Sequence, residues 1–314
     1  RSLMIRGGDF YAIWCEETGL WSTDENLALK MIDHEVDQYY EEHKAEYDGN
    51  VRVLHMWDSD SGMVDKWHKY VQKQCRDNFV SLDENIIFSD KVTTREDYAS
   101  KKLPYQMAEG KIDAYEELMS TLYSPEERRK LEWAIGSIIS GDSKEIQKFI
   151  VLYGAPGSGK GTFLDIVHQL FDGYCSTFDA KAMGSYGNSF ALESLKTNPL
   201  VAIQTDGNLS KIEDNTVLNT VVSHEFMTVN EKFKSAYTTK FHSFLFLGTN
   251  NPVRITDAKS GILRRLIDVS PIGNKVTTAR YKYCTKNIKF ELGAIAYHCL
   301  QVYEEDPDYY NNYI

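Results

Sequence analysis

Apolar residues change their spacing along this chain, and the changes divide it. Near the start, Phe10-Tyr11-Ala12-Ile13-Trp14-Cys15, the turn-like Glu16-Glu17-Thr18-Gly19 and then Leu20-Trp21 read as a β-hairpin. Charged stretches with helical spacing follow, over roughly 25–47 and 62–79. A short strand is expected at Ile86-Ile87-Phe88-Ser89-Asp90, a loop at 94–98, and a break at Leu103-Pro104-Tyr105. A helix start comes next, with Ser124 as N-cap, Pro125 at N1 and Glu127 at N3, the spelling of a capping box. Leu131, Ala134, Ile135, Ile138 and Ile139 then form an apolar stripe that ends at Gly141.

Beyond this helix the pattern becomes short apolar runs separated by helical stretches. Phe149–Tyr153, Leu200–Ile203, Phe244–Leu247 and Leu266–Val269 are each too short for a buried helix, while Thr162–Phe171 has helical spacing. Strands alternating with helices imply an α/β fold with a central, mostly parallel sheet covered on both faces. The expected division is a mixed α/β N-terminal domain (1–122), the α/β core (123–276) and a helical tail (277–314), with a helix near Phe290–Tyr303 and an acidic, tyrosine-rich end.

Composition narrows the function classes. The 314 residues are 42% hydrophobic and 26% charged, ordinary for a globular protein. No stretch approaches the roughly 20 apolar residues of a membrane span, and no apolar run follows the first arginines as a signal peptide requires. The chain begins at Arg1, and we expect it to be a piece of a longer polypeptide. Its five cysteines are scattered, without CxxC or ligand spacing, so neither a zinc site nor a disulfide framework is implied and a reducing, cytoplasmic setting fits best. A net charge of −11 limits any nucleic-acid contact to a confined basic feature, such as a pore.

Gly154-Ala155-Pro156-Gly157-Ser158-Gly159-Lys160-Gly161-Thr162 lies between an expected strand and an expected helix, the context a phosphate loop requires. Glycines let backbone N–H groups turn towards phosphate oxygens, the helix N-terminus adds partial positive charge, and Lys160 brings a full charge to the β- and γ-phosphates. Gly161 stands where Ser or Thr would ordinarily ligate Mg²⁺; Thr162, one residue later, can reach phosphate or metal-bound water. The bland reading is a glycine-rich turn that binds nothing, and motif and context together argue against it. The expected ligands are therefore ATP and Mg²⁺.

Three further features follow in order. Asp206 ends the Leu200–Ile203 run, placed to hold Mg²⁺, to act as general base, or both, with Glu213 and Asp214 as possible helpers. Asn250, in Gly248-Thr249-Asn250-Asn251-Pro252, would polarise the attacking water at the end of the next strand; alone, Asn-Asn-Pro would read as a turn. Arg264-Arg265 precede the last run. Such a pair is often only surface charge, but here either residue could reach a neighbouring subunit's γ-phosphate as an arginine finger.

In this order the four features resemble a superfamily 3 helicase, the AAA+ branch found in phages, plasmids and DNA viruses, and most closely the helicase half of phage and plasmid primases related to the poxvirus primase-helicase. Gly7-Gly8-Asp9-Phe10-Tyr11, Thr18-Gly19-Leu20-Trp21 and Tyr98–Tyr105 are similar to the domain that precedes the ATPase in that group. The resemblance implies a homo-oligomeric ring, usually a hexamer, with ATP between subunits, single-stranded DNA through the centre and a primase or polymerase domain in the same polypeptide. Gly161 and the lone Asp206 depart from the pattern and bear on the metal and base assignments. The resemblance also implies a DNA-contacting hairpin between the acidic and the Asn-bearing strands, here 227–240. Lys232 and Lys234 point the same way on an extended strand, and interleaved aromatics suit single-strand contact, though Lys–Glu alternation is also common on a solvated strand. Two other readings share the loop. Its spelling resembles adenylate kinase, making a nucleoside monophosphate kinase the rival, although such kinases begin with this loop and here about 150 residues precede it. A non-helicase AAA+ loader or remodeller would act on protein instead.

Overall fold

The computed structural model describes residues 4–7, 10–46, 62–74, 80–185, 191–209, 214–229, 237–251 and 261–310. The chain separates into two compact units, Arg1–Ile87 with Lys91–Lys102, and Phe88–Asp90 with Leu103–Ile314.

In the first unit, β1 (Met4–Gly7), β2 (Phe10–Cys15) and β3 (Leu20–Ser22) form an antiparallel sheet in that order. The expected hairpin is β2–β3, closed at Gly19, whose φ of +64° suits glycine and whose N–H donates to Cys15 O at 2.9 Å. β2 is the central strand and is apolar throughout because both its faces are covered. Tyr11 and Ile13 pack with Ala28 and Val71, from α1 (Glu25–His43) and α2 (Met63–Gln74), while Ala12 and Trp14 pack with Trp21. α1 gives way to a 3₁₀ turn, Lys44–Glu46, before the end of its charged stretch. The expected loop at 94–98 contains a 3₁₀ turn, Arg95–Asp97, held by a Thr94–Asp97 capping box. No strand forms at 86–90: a single backbone bond, Ser89 N–H to Tyr105 O, is present where a ladder would need several.

The second unit is built on five parallel strands: β4 (Phe149–Tyr153), β5 (Cys175–Thr177), β6 (Val201–Gln204), β9 (Phe244–Thr249) and β10 (Leu266–Val269). Their order is β10-β4-β9-β6-β5. A two-stranded antiparallel hairpin, β7 (Met227–Val229) with β8 (Tyr237–Thr239), lies between β6 and β9 in sequence. β9 is buried at every position, because it sits mid-sheet with both faces covered. Phe163 of α5 (Lys160–Leu170) meets Phe246 on one face. On the other, Leu245 and Leu247 join a core with Met183 of α6 (Ala180–Met183) and Leu218 and Val222 of α7 (Thr216–Val222).

Three helices complete this unit: α3 (Asp113–Leu122), α4 (Pro125–Ser140) and α8 (Thr278–Glu305). Ser124 Oγ caps α4 by accepting from Glu127 N–H at 3.3 Å, and Gly141 ends it at φ +88°. The capping box is only half realised, because the Glu127 carboxylate accepts instead from Ser270 N–H (2.7 Å) and Lys130 (2.6 Å). α4 and α8 cross closely at Gly136, where an added Cβ would stand 2.2 Å from Cys299 O. Glu291 of α8 accepts from Ala114 and Tyr115 N–H at 3.0 and 2.9 Å, capping α3 in place of Ile112, whose side chain has no oxygen. α3, which precedes the division expected at residue 122, packs against α4 and α8 inside this unit. No helix among the described residues is long and apolar enough to cross a membrane.

Candidate functional site

Three adjacent strands, β4, β9 and β6, end at one edge of the parallel sheet. The register pairs Tyr153 with Thr249 and Gln204 with Leu247, so the segments leaving them are neighbours. Open α/β sheets bind ligands at the carboxyl ends of their strands.

The loop after β4 has the conformation its glycines allow. Gly157 and Gly159 adopt φ of +74° and +106°, which an L side chain takes up at a cost. Gly159 also needs to be small, since a Cβ there would stand 2.8 Å from Leu122 Cδ2. Gly154 N–H donates to Thr249 O at 3.2 Å, tying the loop's first residue to β9. Ser158 Oγ is buried with no hydrogen-bond partner, an oxygen that a ligand in the loop would satisfy. Around Gly161, by contrast, an added Cβ would meet nothing within 4 Å.

Lys160 opens α5 and is buried, with its ammonium 2.6 Å from Gly154 O, 3.0 Å from Ala155 O and 2.9 Å from Asn250 Oδ1. Asn250 Nδ2 in turn donates to Asp206 Oδ1 at 3.4 Å. Lysine only donates and carboxylate only accepts, so these partners fix the Asn250 amide orientation. Burial holds the Lys160 pKa below its ordinary 10.5, and the Asp206 charge partly offsets this. Asn250 and Asp206 are exposed, as groups that meet a ligand must be. Beneath Asn250, Thr249 is buried, and its Oγ1 accepts from Asn251 N–H at 3.1 Å, which fixes the turn.

Two glycines draw these strand ends together, a feature the sequence reading missed. Gly207 N–H donates to Gly248 O at 2.8 Å. A Cβ on Gly248 would stand 2.5 Å from Thr205 O, and one on Gly207 2.6 Å from Leu247 Cδ1. The available signal was a glycine at the end of each run, beside Asp206 and before Thr249-Asn250.

The remaining expected residues are placed differently from one another. Thr162 Oγ1 donates to Tyr281 OH at 3.4 Å. Asp214 caps α7, accepting from Thr216 N–H (2.8 Å) and Oγ1 (2.5 Å). Arg265 is buried, with Nε 2.7 Å from Ser223 Oγ and Nη1 2.9 Å from Gly261 O. Arg264 is exposed, and its carbonyl accepts from buried Lys148 at 2.5 Å. Glu213, Lys232 and Lys234 lie outside the described residues, although β7 and β8 pair on either side of the segment that carries the two lysines.

A cleft of about 600 Å³ opens beside the loop, lined by Gly157, Gly159–Thr162, Leu122, Asp165, Asn274, Lys275, Val276 and Tyr281. Asp206 and Asn250 are not in its wall, so it extends from the loop on another side. The Lys160–Asn250–Asp206 row and the cleft therefore lie on different sides of the loop, and the cleft is large enough for a nucleoside. The residues fit a nucleoside triphosphate on three counts: the left-handed glycines, the orphaned Ser158 oxygen and the buried ammonium. No group of three or more His, Cys, Asp or Glu side chains placed to hold a metal occurs among the described residues. Mg²⁺ bound through phosphates needs only one or two protein oxygens, which Asp206 and Thr162 can supply.

Comparison with known proteins agrees with this geometry at the level of fold. A family described as "Family of unknown function (DUF5906)" matches residues 152–265, the stretch holding the loop, Asp206, Asn250 and both arginines. No curated protein matches the chain. Among solved structures, the apo structure of the NrS-1 C-terminal region (305–718) aligns over 94% of this chain and 66% of that one, with a TM-score of 0.54 and 12% identity. An A-form apo structure of the same region aligns over 95% and 66%, with a TM-score of 0.51 and 13% identity. A further A-form structure gives 75% and 60%, 0.50 and 15%. The chain thus spans 60–66% of those chains and shares their fold.

Proposed function

We propose that this chain is an ATP-driven helicase that moves on single-stranded DNA during replication of a phage or mobile element. In this reading it is an AAA+ ATPase of superfamily 3, working as a ring, usually hexameric, in the cytoplasm. The observation that carries the reading is the row Lys160–Asn250–Asp206, assembled at the ends of three neighbouring parallel strands beside a phosphate loop. The hairpin stem between β6 and β9 and the fold shared with the NrS-1 C-terminal region support it.

ATP with Mg²⁺, when bound, would supply the anhydride to be cleaved and a cation to offset the phosphate charge. Loop amides and Lys160 hold the phosphates, and Lys160 exchanges the Gly154 and Ala155 carbonyls for them. Asn250 orients water, and Asp206 ligates the cation, takes the water proton, or does both. Thr162 is the second metal-side oxygen. Arg264, the exposed member of its pair, reaches the neighbouring subunit's γ-phosphate, while Arg265 holds the turn from which it projects. Lys232 and Lys234, in the segment between β7 and β8, are the residues proposed to contact DNA in the channel.

The test is ATP hydrolysis with and without single-stranded DNA, and AMP phosphorylation, for wild type and Lys160→Ala. Stimulation by DNA that Lys160→Ala abolishes supports the reading. DNA-independent turnover with ADP formed from AMP refutes it in favour of a nucleotide kinase, and DNA-independent turnover alone points to a protein remodeller.

A further inference from the structure

The segment 269–290 carries Lys275, Arg280, Lys282, Lys286 and Lys289 and no Asp or Glu, in a chain of net charge −11. Most of it is the first half of α8. There Cys284, Ile288 and Leu292 are buried. At 3.6 residues per turn, Lys282, Lys286 and Lys289 share one narrow face away from that side, and all three are exposed. Tyr283 and Phe290 lie on the adjoining face, seven residues and about 10 Å apart along the axis, and are 53% and 76% exposed.

Lysines on a solvated face are ordinary; two exposed rings in register beside them are not. Arg280, paired with Glu117, also lies 4.8 Å from the Tyr283 ring centroid, and the Lys289 ammonium lies 4.9 Å from that of Phe290. Each ring is thus matched to a cation at a surface open to a planar partner. Between them, Asn287 donates one amide N–H to Tyr283 O at 2.7 Å.

We propose that this face of α8 binds single-stranded nucleic acid, with Lys282, Lys286 and Lys289 on phosphates and Tyr283 and Phe290 stacked on bases. Positive charge beside stacking rings is how sequence-tolerant strand binding works, and the acid-free segment supplies the charge complementarity that the chain as a whole lacks. The inference deepens the proposed function by adding a strand contact other than the hairpin, and rests on that reading only for what the strand is used for.

Its test is the anisotropy of a fluorescein-labelled oligothymidine, without nucleotide, across a KCl series. Lys282→Gln/Lys286→Gln/Lys289→Gln should weaken binding at least about tenfold and flatten the slope of log K against log salt by about 2, from roughly 0.7 per phosphate. Tyr283→Ala/Phe290→Ala should weaken it about tenfold with the slope unchanged. All five side chains are exposed, so circular dichroism should match wild type. Wild-type affinity and slope in the lysine variant, or wild-type affinity in the aromatic variant, overturn the proposal. So does polyglutamate competing as well as unlabelled oligothymidine at equal charge, which would make this an acidic-protein surface. Loss confined to Lys232→Ala/Lys234→Ala leaves the proposed function standing and removes this face from it. Binding that follows the α8 variants without DNA-stimulated hydrolysis does the reverse.

Discussion

Replacing Gly248 with alanine should slow hydrolysis roughly tenfold while leaving nucleotide binding nearly intact. A Cβ at Gly248 would stand 2.5 Å from Thr205 O and 3.3 Å from Leu164 Cδ1. The nearer atom is backbone, so the ends of β6 and β9 must part by roughly half an ångström to reach 3.0 Å, below which Cβ contacts are essentially not seen. That movement stretches the Gly207 N–H to Gly248 O bond, and Asp206 and Asn250 stand on either side of it. Overpacking of this kind costs about 1–3 kcal/mol of stability. A 1 Å misplacement costs on the order of 10²-fold in rate, so half that movement should cost roughly tenfold, or about 1.4 kcal/mol of barrier. β4 and the phosphate loop are outside the clash, so affinity for a fluorescent ATP analogue should change by less than about threefold, under ~0.7 kcal/mol. Single-turnover hydrolysis beside equilibrium binding reads the two separately. A folded Gly248→Ala protein that hydrolyses ATP at the wild-type rate would refute the claim that this clamp sets the distance between Asp206 and Asn250.

Three other perturbations separate function from support. The Lys160 pKa lies below 10.5 because of burial, and only its charged form grips phosphate. Affinity should therefore fall as pH rises through that lowered value, earlier than for a free lysine, and Lys160→Met should remove both the alkaline limb and most of the binding; a flat titration between neutral pH and pH 10.5 contradicts this. Arg264→Ala should lose most turnover with an unchanged melting temperature, whereas Arg265→Ala, which removes bonds to Ser223 and Gly261, should cost about 2–4 kcal/mol in denaturant unfolding; the opposite pattern would exchange their roles. Glu291→Ala should lower stability by about 1–2 kcal/mol by uncapping α3, read as a shift in urea midpoint at constant slope.

The strands that place the site were legible because each is a short, fully apolar run, which a sheet buried on both faces produces. β5 was not, since Cys175-Ser176-Thr177 at the sheet edge is only partly buried and carries no apolar run. α8 was read over its second half alone. Over its first half only Cys284 and Ile288 face inward, too sparse a stripe to stand out from the lysines between them. Lys160, Asp206 and Asn250 could be named because a motif fixes where each stands relative to a strand end. The Gly207–Gly248 clamp and Leu122 beneath Gly159 could not, since they depend on contacts between residues far apart in sequence. The two arginines looked equivalent as a pair, and only burial distinguishes them. The capping box at Ser124 failed for a related reason: Ser270 N–H, 143 residues away, takes the carboxylate that the local motif assigns to its own helix.

The cleft beside the phosphate loop and the proposed strand surface meet on one helix. Tyr281 lines the cleft and accepts from Thr162 on α5, and the next residues, Lys282 and Tyr283, begin the basic and aromatic faces. On the proposed reading, a nucleotide entering the cleft would meet the Tyr281 side chain, and a strand on α8 would pull on the residues that follow it in the same helical turn. Coupling between two ligands is reciprocal: whatever factor the nucleotide applies to strand affinity, the strand applies to nucleotide affinity. α8 runs for 28 residues and packs along α4, so both ligands would act on one helix. α3, whose Leu122 supports Gly159, is held to the same helix through Glu291 and through Arg280–Glu117. The phosphate loop is therefore connected to α8 from two sides, through Tyr281 and through α3, and a shift of α8 has to alter the loop's surroundings whichever ligand causes it.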